Sequence, residues 1–359
     1  MTVYICVFLI SLLLAKGLQN VKIRFHNKRI EWIKALIISI PFSIAAGFRA
    51  DTVGIDYKAY SVSYYDFGNL ATGREREILG IFVIRLANMI ENPKFIIWFY
   101  AVFISVGVML WIVRQKQYAY VYPVALFFLT GYFNWSLNIM RQTAASVMVF
   151  LFLDLLFDKS HQVRNRIILG IIILIAATMH STALLYLVLL IFPYNLFKNK
   201  IKWFSIALFF LPMASAIFRM LFMYLSQRFN FYYRYFNNYY DQNAYTGSLI
   251  LVSAAIYAIA LLSYQTWKNS EQKKYNVYAA IQYISVAFSL LANIIPNNAR
   301  VTYLFFPAAI VSLPIFSKLI NIKYKKIVII TVIAILALFY IHAYYISNWG
   351  ETMPYKWGI

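Results

Sequence analysis

The chain has 359 residues, of which 62% are hydrophobic and only 13% charged, with a mean hydropathy of +0.67. Soluble domains of this size carry about 25% charged residues, so an ordinary soluble domain is excluded. The formal net charge of +21 would suggest nucleic acid on a soluble protein, but on this background the basic residues read as loop charges that set membrane topology, and no nucleic-acid partner is expected.

Apolar stretches recur from end to end, with no fixed-period repeat and no low-complexity linker. The chain therefore reads as one integral membrane domain over residues 1–359, an all-α polytopic helix bundle. A helix needs about 20 mostly apolar residues to cross the hydrocarbon core. Twelve spans are expected, near 1–18, 31–48, 94–113, 119–135, 138–157, 166–180, 181–195, 203–220, 248–267, 276–294, 301–318 and 326–347. The opening MTVYICVFLISLLLAKG has no basic residue ahead of its apolar run, so it reads as an uncleaved first span. It holds Cys6, the one cysteine, which allows no internal disulfide and no cysteine-based zinc site. The pair meeting at His180 is short and reads as two half-helices joined at a polar break.

Charge tests this layout. With the N-terminus outside, six predicted inner loops hold 21 of the 33 basic residues, and 8 of the 12 acids fall outside. Every predicted inner loop is basic, as the positive-inside rule requires. Segment 78–90, ILGIFVIRLANMI, would reach only about 20 Å as a helix at 1.5 Å per residue. It is therefore expected as a re-entrant or interfacial helix within an outer loop spanning 49–93. Both termini are placed outside.

The outer loop 49–77 carries Arg49, Asp51, Asp56, Asp66, Arg74, Glu75, Arg76 and Glu77. Asp66, Arg74 and Arg76 read as solvated charges. Arg49 closes a span, where a charge snorkels or faces a polar cavity. Arg141 lies inside a span beside Asn134, Asn138, Gln142 and Thr143, a grouping that suggests a cavity. His180 sits in an apolar run, and its ordinary pKa near 6.5 suits proton transfer. His26, His161 and His342 read as incidental. Arg300 follows NIIPNNA at an outer helix end and faces either lipid headgroups or a bound phosphate. The aromatic-rich outer loop 221–247 interleaves Arg228 and Arg234 with Tyr, Phe and Asn. Interface anchoring explains most of these aromatics, and a carbohydrate-facing lid is the sharper reading. No metal, phosphate-loop or hydrolase motif is present, and neither metal nor cofactor is expected.

The motifs resemble a family. FRADTVGIDYKAY is similar to the R…VGxDxxxY signature of EpsG-like membrane proteins, a branch of the Wzy-type polysaccharide polymerases. REREILG resembles its acidic motif, NIMRQTAASVMVF its central Arg-Gln helix, and ATMHSTALLYL its His-Ser element. PNNARVTYLFFP and the terminal ETMPYKW also fit, in order, over nearly the whole chain.

The resemblance implies polymerisation of undecaprenyl-diphosphate-linked oligosaccharide repeat units on the outer face of a bacterial cytoplasmic (inner) membrane. It implies a fold like the C-type membrane glycosyltransferases. Partners would be the lipid-linked glycans, the bilayer, and a chain-length regulator and flippase of the same pathway. Guanidinium binds phosphate in bidentate fashion, so Arg49, Arg141 and Arg300 are the expected diphosphate ligands. His180 is the first candidate base, followed by Asp56 and Glu77, with Glu75 competing for the role of Glu77. Asp51 orients Arg49 or binds substrate, together with Tyr57, Gln142, Arg228 and Arg234. Two alternatives stand beside this: a lipid-linked oligosaccharide flippase or other transporter, and a polysaccharide O-acyltransferase. Inverted repeats, expected of a transporter, are not evident.

Overall fold

In the computed structural model the described residues are 1–19, 21, 27–65, 77–115, 119–158, 160–213, 215–228, 236, 246–291 and 294–358. Their regular structure is helical throughout, apart from one isolated antiparallel bridge between Arg49 and Trp357. The chain forms two compact units. The first comprises Met1–Leu190 with Ala337–Ile359, and the second Ile191–Leu336.

In the first unit, α1 spans Thr2–Gln19, α2 Asn27–Gly47, α3 Tyr57–Tyr65, α4 Ile78–Met89 and α5 Lys94–Arg114. Then follow α6 Val121–Leu129, α7 Tyr132–Ser136, α8 Met140–Leu151 and α9 Gln162–Ala177, and a 3-10 helix over Ser181–Leu187. The centre is α5, packed between α2 and α8. Its sequence is apolar on every face, and Ile104, Val108, Met109, Trp111 and Ile112 are all buried. A helix hydrophobic all round has no face to give to water, so it goes to the middle.

The outer helices behave differently. On α1, Leu9 and Leu13 are exposed, one turn apart. On α9, Ile167, Ile171 and Leu174 are exposed on one stripe. Such apolar ridges would be unstable in water, and they identify lipid-facing surface. The chain is a membrane protein. At one end of the α2–α5 pair, Arg114 lies 4.0 Å from Glu31. The candidate site lies at the other end.

The second unit is built from α10 Ile201–Phe210, α11 Ser215–Arg228, α12 Thr246–Leu262, α13 Lys273–Leu290, α14 Asn298–Phe305, α15 Ala309–Leu319 and α16 Ile322–Tyr340, whose last residues pass into the first unit. Here α13 is the packing centre, against α12, α14 and α15. Ile294, Ile295 and Val301 form a small core with Phe222, Phe288 and Leu291. Inside the unit Gln282 donates to the Ser312 hydroxyl at 3.0 Å, because a polar group in an apolar bundle must find a partner.

Twelve continuous spans are not what the described residues show. Five helices are long and apolar enough to cross a membrane: Thr2–Gln19, Lys28–Gly47, Lys94–Arg114, Asn298–Leu319 and Lys323–Ile346. The remaining expected spans are broken, short or polar. Segment 119–135 divides at residues 130–131 into α6 and α7, and 138–157 leaves α8 for a 3-10 turn over Leu153–Leu156. Segment 203–220 divides between α10 and α11, and 276–294 carries Asn276 and Gln282 inside α13. Hydropathy counts apolar residues and does not see where the backbone changes course. The break expected at His180 is present, since α9 ends at Ala177 and the 3-10 helix begins at Ser181. The short segment at 78–90 is the 12-residue α4, and the 49–93 loop holds a second helix, α3.

Candidate functional site

The chain leaves α2 and turns back at Phe48–Gly54, where the segment Gly350–Gly358 lies along it. Ala50 N donates to Lys356 O at 2.9 Å, and Gly358 N to Phe48 O at 2.7 Å. Gly54 N donates to Glu351 O at 2.9 Å, and Ile55 N to Gly350 O at 3.2 Å. Gly54 (φ +99°) and Gly350 (φ +71°) both pack on the Asn138 side chain. Only glycine takes these dihedrals without strain and leaves that space. Asn134 completes the join. Its Nδ2 donates to the Thr352 hydroxyl at 3.0 Å, and its Oδ1 accepts from the Tyr340 hydroxyl at 3.0 Å.

Arg49 sits in the middle of this join at 1% exposure. Its Nε donates to Val53 O at 3.1 Å, Nη1 to Ala46 O at 2.6 Å and Nη2 to Leu137 O at 2.7 Å. The guanidinium lies 5.3 Å from the centre of the Tyr57 ring. Burial pulls Arg49 down from its ordinary value to about 10, which leaves it charged at neutral pH. The ends of α2 and of the turn at Leu137 offer carbonyls that no helix bond uses, and a cation is the favourable partner for them.

A second cluster forms where α4, α8 and the α9 break meet. The first turn of α4 is pinned to the break, with Leu79 N donating to Thr178 O at 2.9 Å and Gly80 N to the same oxygen at 3.3 Å. That places Glu77, just ahead of α4, beside Arg141 in the first turn of α8. One Glu77 carboxylate oxygen is paired with Arg141 Nη1, and the other accepts from Ser181 N at 3.3 Å. The side chains are mostly enclosed, 11% exposed for Glu77 and 15% for Arg141. Gly80 lies against the Met179 carbonyl and the Arg141 side chain, and Arg141 N donates to the Tyr60 hydroxyl at 3.3 Å. Tyr60 in turn packs near Tyr100, whose hydroxyl donates to Met179 Sδ at 3.3 Å. Arg141 Nε is buried and has no hydrogen-bond partner.

His180 caps the 3-10 helix in an extended conformation. Its Nδ1 accepts from Thr182 N at 3.3 Å and lies 2.8 Å from Thr182 Oγ1. These two contacts to Thr182 fix the orientation of the ring through Nδ1.

A family model, the EpsG family, matches residues 32–357. The chain belongs to the EpsG family. No curated protein and no solved structure matches it. Membership points to a polymerase-like role in polysaccharide biosynthesis and supports the likeness read from the motifs.

In this EpsG-family chain the structure unites Arg141, Glu77 and the His180 turn, three motifs far apart in sequence. It unites Arg49 with Tyr57 in a different way. Arg49, expected as a diphosphate ligand, is instead enclosed, with its donors turned to backbone carbonyls. Tyr57, expected to bind substrate, is buried beneath it. Asp51 is exposed, and Asp56 is half-buried at the start of α3, where its carbonyl accepts from Tyr60 N. Gln142 is buried next to Arg141. Arg300 belongs to the second unit, half-buried in the first turn of α14 after the left-handed Asn297. Arg228 is exposed at the end of α11. Glu75 and Arg234 lie outside the described residues, as do Asp66, Arg74 and Arg76. No group of three or more His, Cys, Asp or Glu that could hold a metal occurs among the described residues.

Tyr60 closes the VGxDxxxY signature and Ser181 belongs to the His-Ser element, but neither of them, nor Thr182, was among the expected site residues. The signal for Tyr60 was that closing position, one helical turn after Asp56. Ser181 contributes only its amide, which no residue identity announces.

Proposed function

We propose that this EpsG-family protein polymerises lipid-diphosphate-linked glycan repeat units by glycosyl transfer at the outer face of the bacterial cytoplasmic membrane. On this reading the donor is a growing glycan on undecaprenyl diphosphate, and the acceptor is a new repeat unit on the same carrier. The chemistry is that of C-type membrane glycosyltransferases, which need no nucleotide sugar. The observation that carries it is the junction of Arg141, Glu77 and the His180 turn. It supplies a cation, an acid–base group and a positioned imidazole within one enclosed cluster.

Each piece meets a need of the reaction. The leaving group is a lipid diphosphate, so negative charge grows on it as the glycosidic bond breaks. Guanidinium groups placed there lower the barrier. Arg141 in the first unit has a donor still to give, and Arg300 in the second unit is a candidate taken by itself. Arg49 serves by holding the loop that carries Asp56, Tyr57 and Tyr60. The acceptor hydroxyl must be oriented and must lose a proton, and Glu77, His180 and Asp56 are the candidates.

The test is reconstitution with lipid-diphosphate-linked repeat units, read as a polymer ladder. Wild-type protein should give long chains, and Arg141→Lys and His180→Ala should give single units or very short chains. Full-length polymer from both variants would overturn the proposal. Movement of repeat units across the vesicle without bond formation would point to a flippase instead.

A further inference from the structure

The cluster around Arg141 contains three groups that bear on where the acceptor's proton goes. His180 is poorly placed to receive it. Its Nδ1 is engaged by the Thr182 amide and lies at hydrogen-bond distance from the Thr182 hydroxyl, so this side of the ring is taken up in holding it in place. A ring held in this way is suited to orienting an oxygen. Glu77 has the right charge, but in the resting protein both carboxylate oxygens are engaged, by the Arg141 guanidinium and by Ser181 N.

Arg141 shows how that hold can be loosened. Glu77 takes only one corner of the guanidinium fork, at Nη1, and Nε stands buried without a hydrogen-bond partner. Guanidinium prefers to give two parallel bonds to one oxyanion. A diphosphate presenting two oxygens to Nε and an Nη satisfies the fork better than the carboxylate does, and it carries more charge.

We propose that Glu77 is an exchangeable counter-ion of Arg141: the incoming prenyl diphosphate displaces it, and the freed carboxylate then accepts the proton of the acceptor hydroxyl. This rests on the polymerase reading above. In the step, the acceptor oxygen forms a bond to the anomeric carbon as that carbon's bond to the diphosphate oxygen breaks. The bonding pair leaves with the diphosphate, which Arg141 holds. The hydroxyl proton passes to Glu77. When the prenyl diphosphate departs, the proton goes to water and the Arg141–Glu77 pair re-forms. The base is thus active only while a donor is bound.

The experiment uses the full-length protein in nanodiscs, with farnesyl diphosphate as the binding probe and farnesol as control. Glu77→Gln removes the internal competitor. It should bind farnesyl diphosphate about tenfold more tightly than wild type, a gain of about 1.4 kcal/mol, and should make no polymer. Glu77→Asp keeps the charge on a shorter arm and guards against a folding defect in the first variant. It should also bind more tightly, with polymer yield reduced. Equal or weaker binding by both variants, or wild-type polymer from Glu77→Gln, would overturn the exchange while leaving the polymerase reading intact. If wild type binds farnesyl diphosphate no better than farnesol, or Arg141→Lys binds as well as wild type, the polymerase reading falls and the exchange with it.

Discussion

Arg49 and Trp357 face each other across an antiparallel bridge although they lie near opposite ends of the chain. The turn after α2 is therefore held by the segment that follows α16. Two motifs that read as separate signatures in sequence are one structure in space.

Removing residues 353–359 should loosen that turn. Ala50 N loses Lys356 O, Phe48 O loses Gly358 N, and Ala45 O loses the Tyr355 hydroxyl. At about 1 kcal/mol per hydrogen bond, the truncated protein should melt at a clearly lower temperature in detergent. Its polymer yield should fall in parallel. An unchanged melting curve would show that the join carries no stability.

Arg49 and Arg141 should separate cleanly by their lysine variants. Lysine cannot reach three carbonyls in one plane, so Arg49→Lys should cost about 3 kcal/mol of stability. Arg141→Lys keeps a cation beside Glu77, so its melting temperature should stay near wild type while polymerisation is lost. Thermal melts and polymer ladders on both proteins decide it. The opposite pattern would return Arg49 to the substrate.

Thr182→Val should lower activity without abolishing it. The variant keeps the backbone N–H on His180 Nδ1 and removes the hydroxyl at 2.8 Å. Ring orientation is loosened, and initial rates should drop by about tenfold, against about a hundredfold or more for His180→Ala. Equal losses in the two would mean that Thr182 does more than orient the ring.

Gly350→Ala should be poorly tolerated. Its φ of +71° disfavours any side chain, and a Cβ would run into Asn138. Backbone strain of this kind costs about 1–3 kcal/mol. A low yield of folded protein is expected, and a normal melting temperature would count against the packing described at Asn138.

Orientation can be read with a single cysteine at Gln272 in a Cys6→Ser background. The charge distribution places Gln272 inside, so a membrane-impermeant thiol reagent should label it only after the membrane is opened. Labelling of intact cells would reverse the topology and move α4 across the bilayer.

Some of this organisation is legible in residue types and their order. Arg141 with Asn134, Asn138 and Gln142 marks a polar interior, and the polar break at His180 is visible as a lapse in a long apolar run. The role of Arg49 is not visible there, because its partners are the carbonyls of Ala46, Val53 and Leu137. Every residue has a carbonyl, so nothing in the side-chain sequence marks which ones an arginine will find. The twelve expected spans are not confirmed among the described residues, for a related reason. Hydropathy registers the solvent a segment prefers, while the ends of α6, α8 and α10 depend on local backbone geometry.

Composition and charge alone determined that this is a helical membrane protein with basic loops, because transfer free energies and insertion rules act on residue type. Motif order by itself pointed to the family. Tertiary structure decided which arginine is enclosed and which meets a carboxylate, and that the turn at residues 48–54 closes onto residues 350–358. Those outcomes depend on which groups come within hydrogen-bond reach, a property of the folded path that residue types alone do not specify.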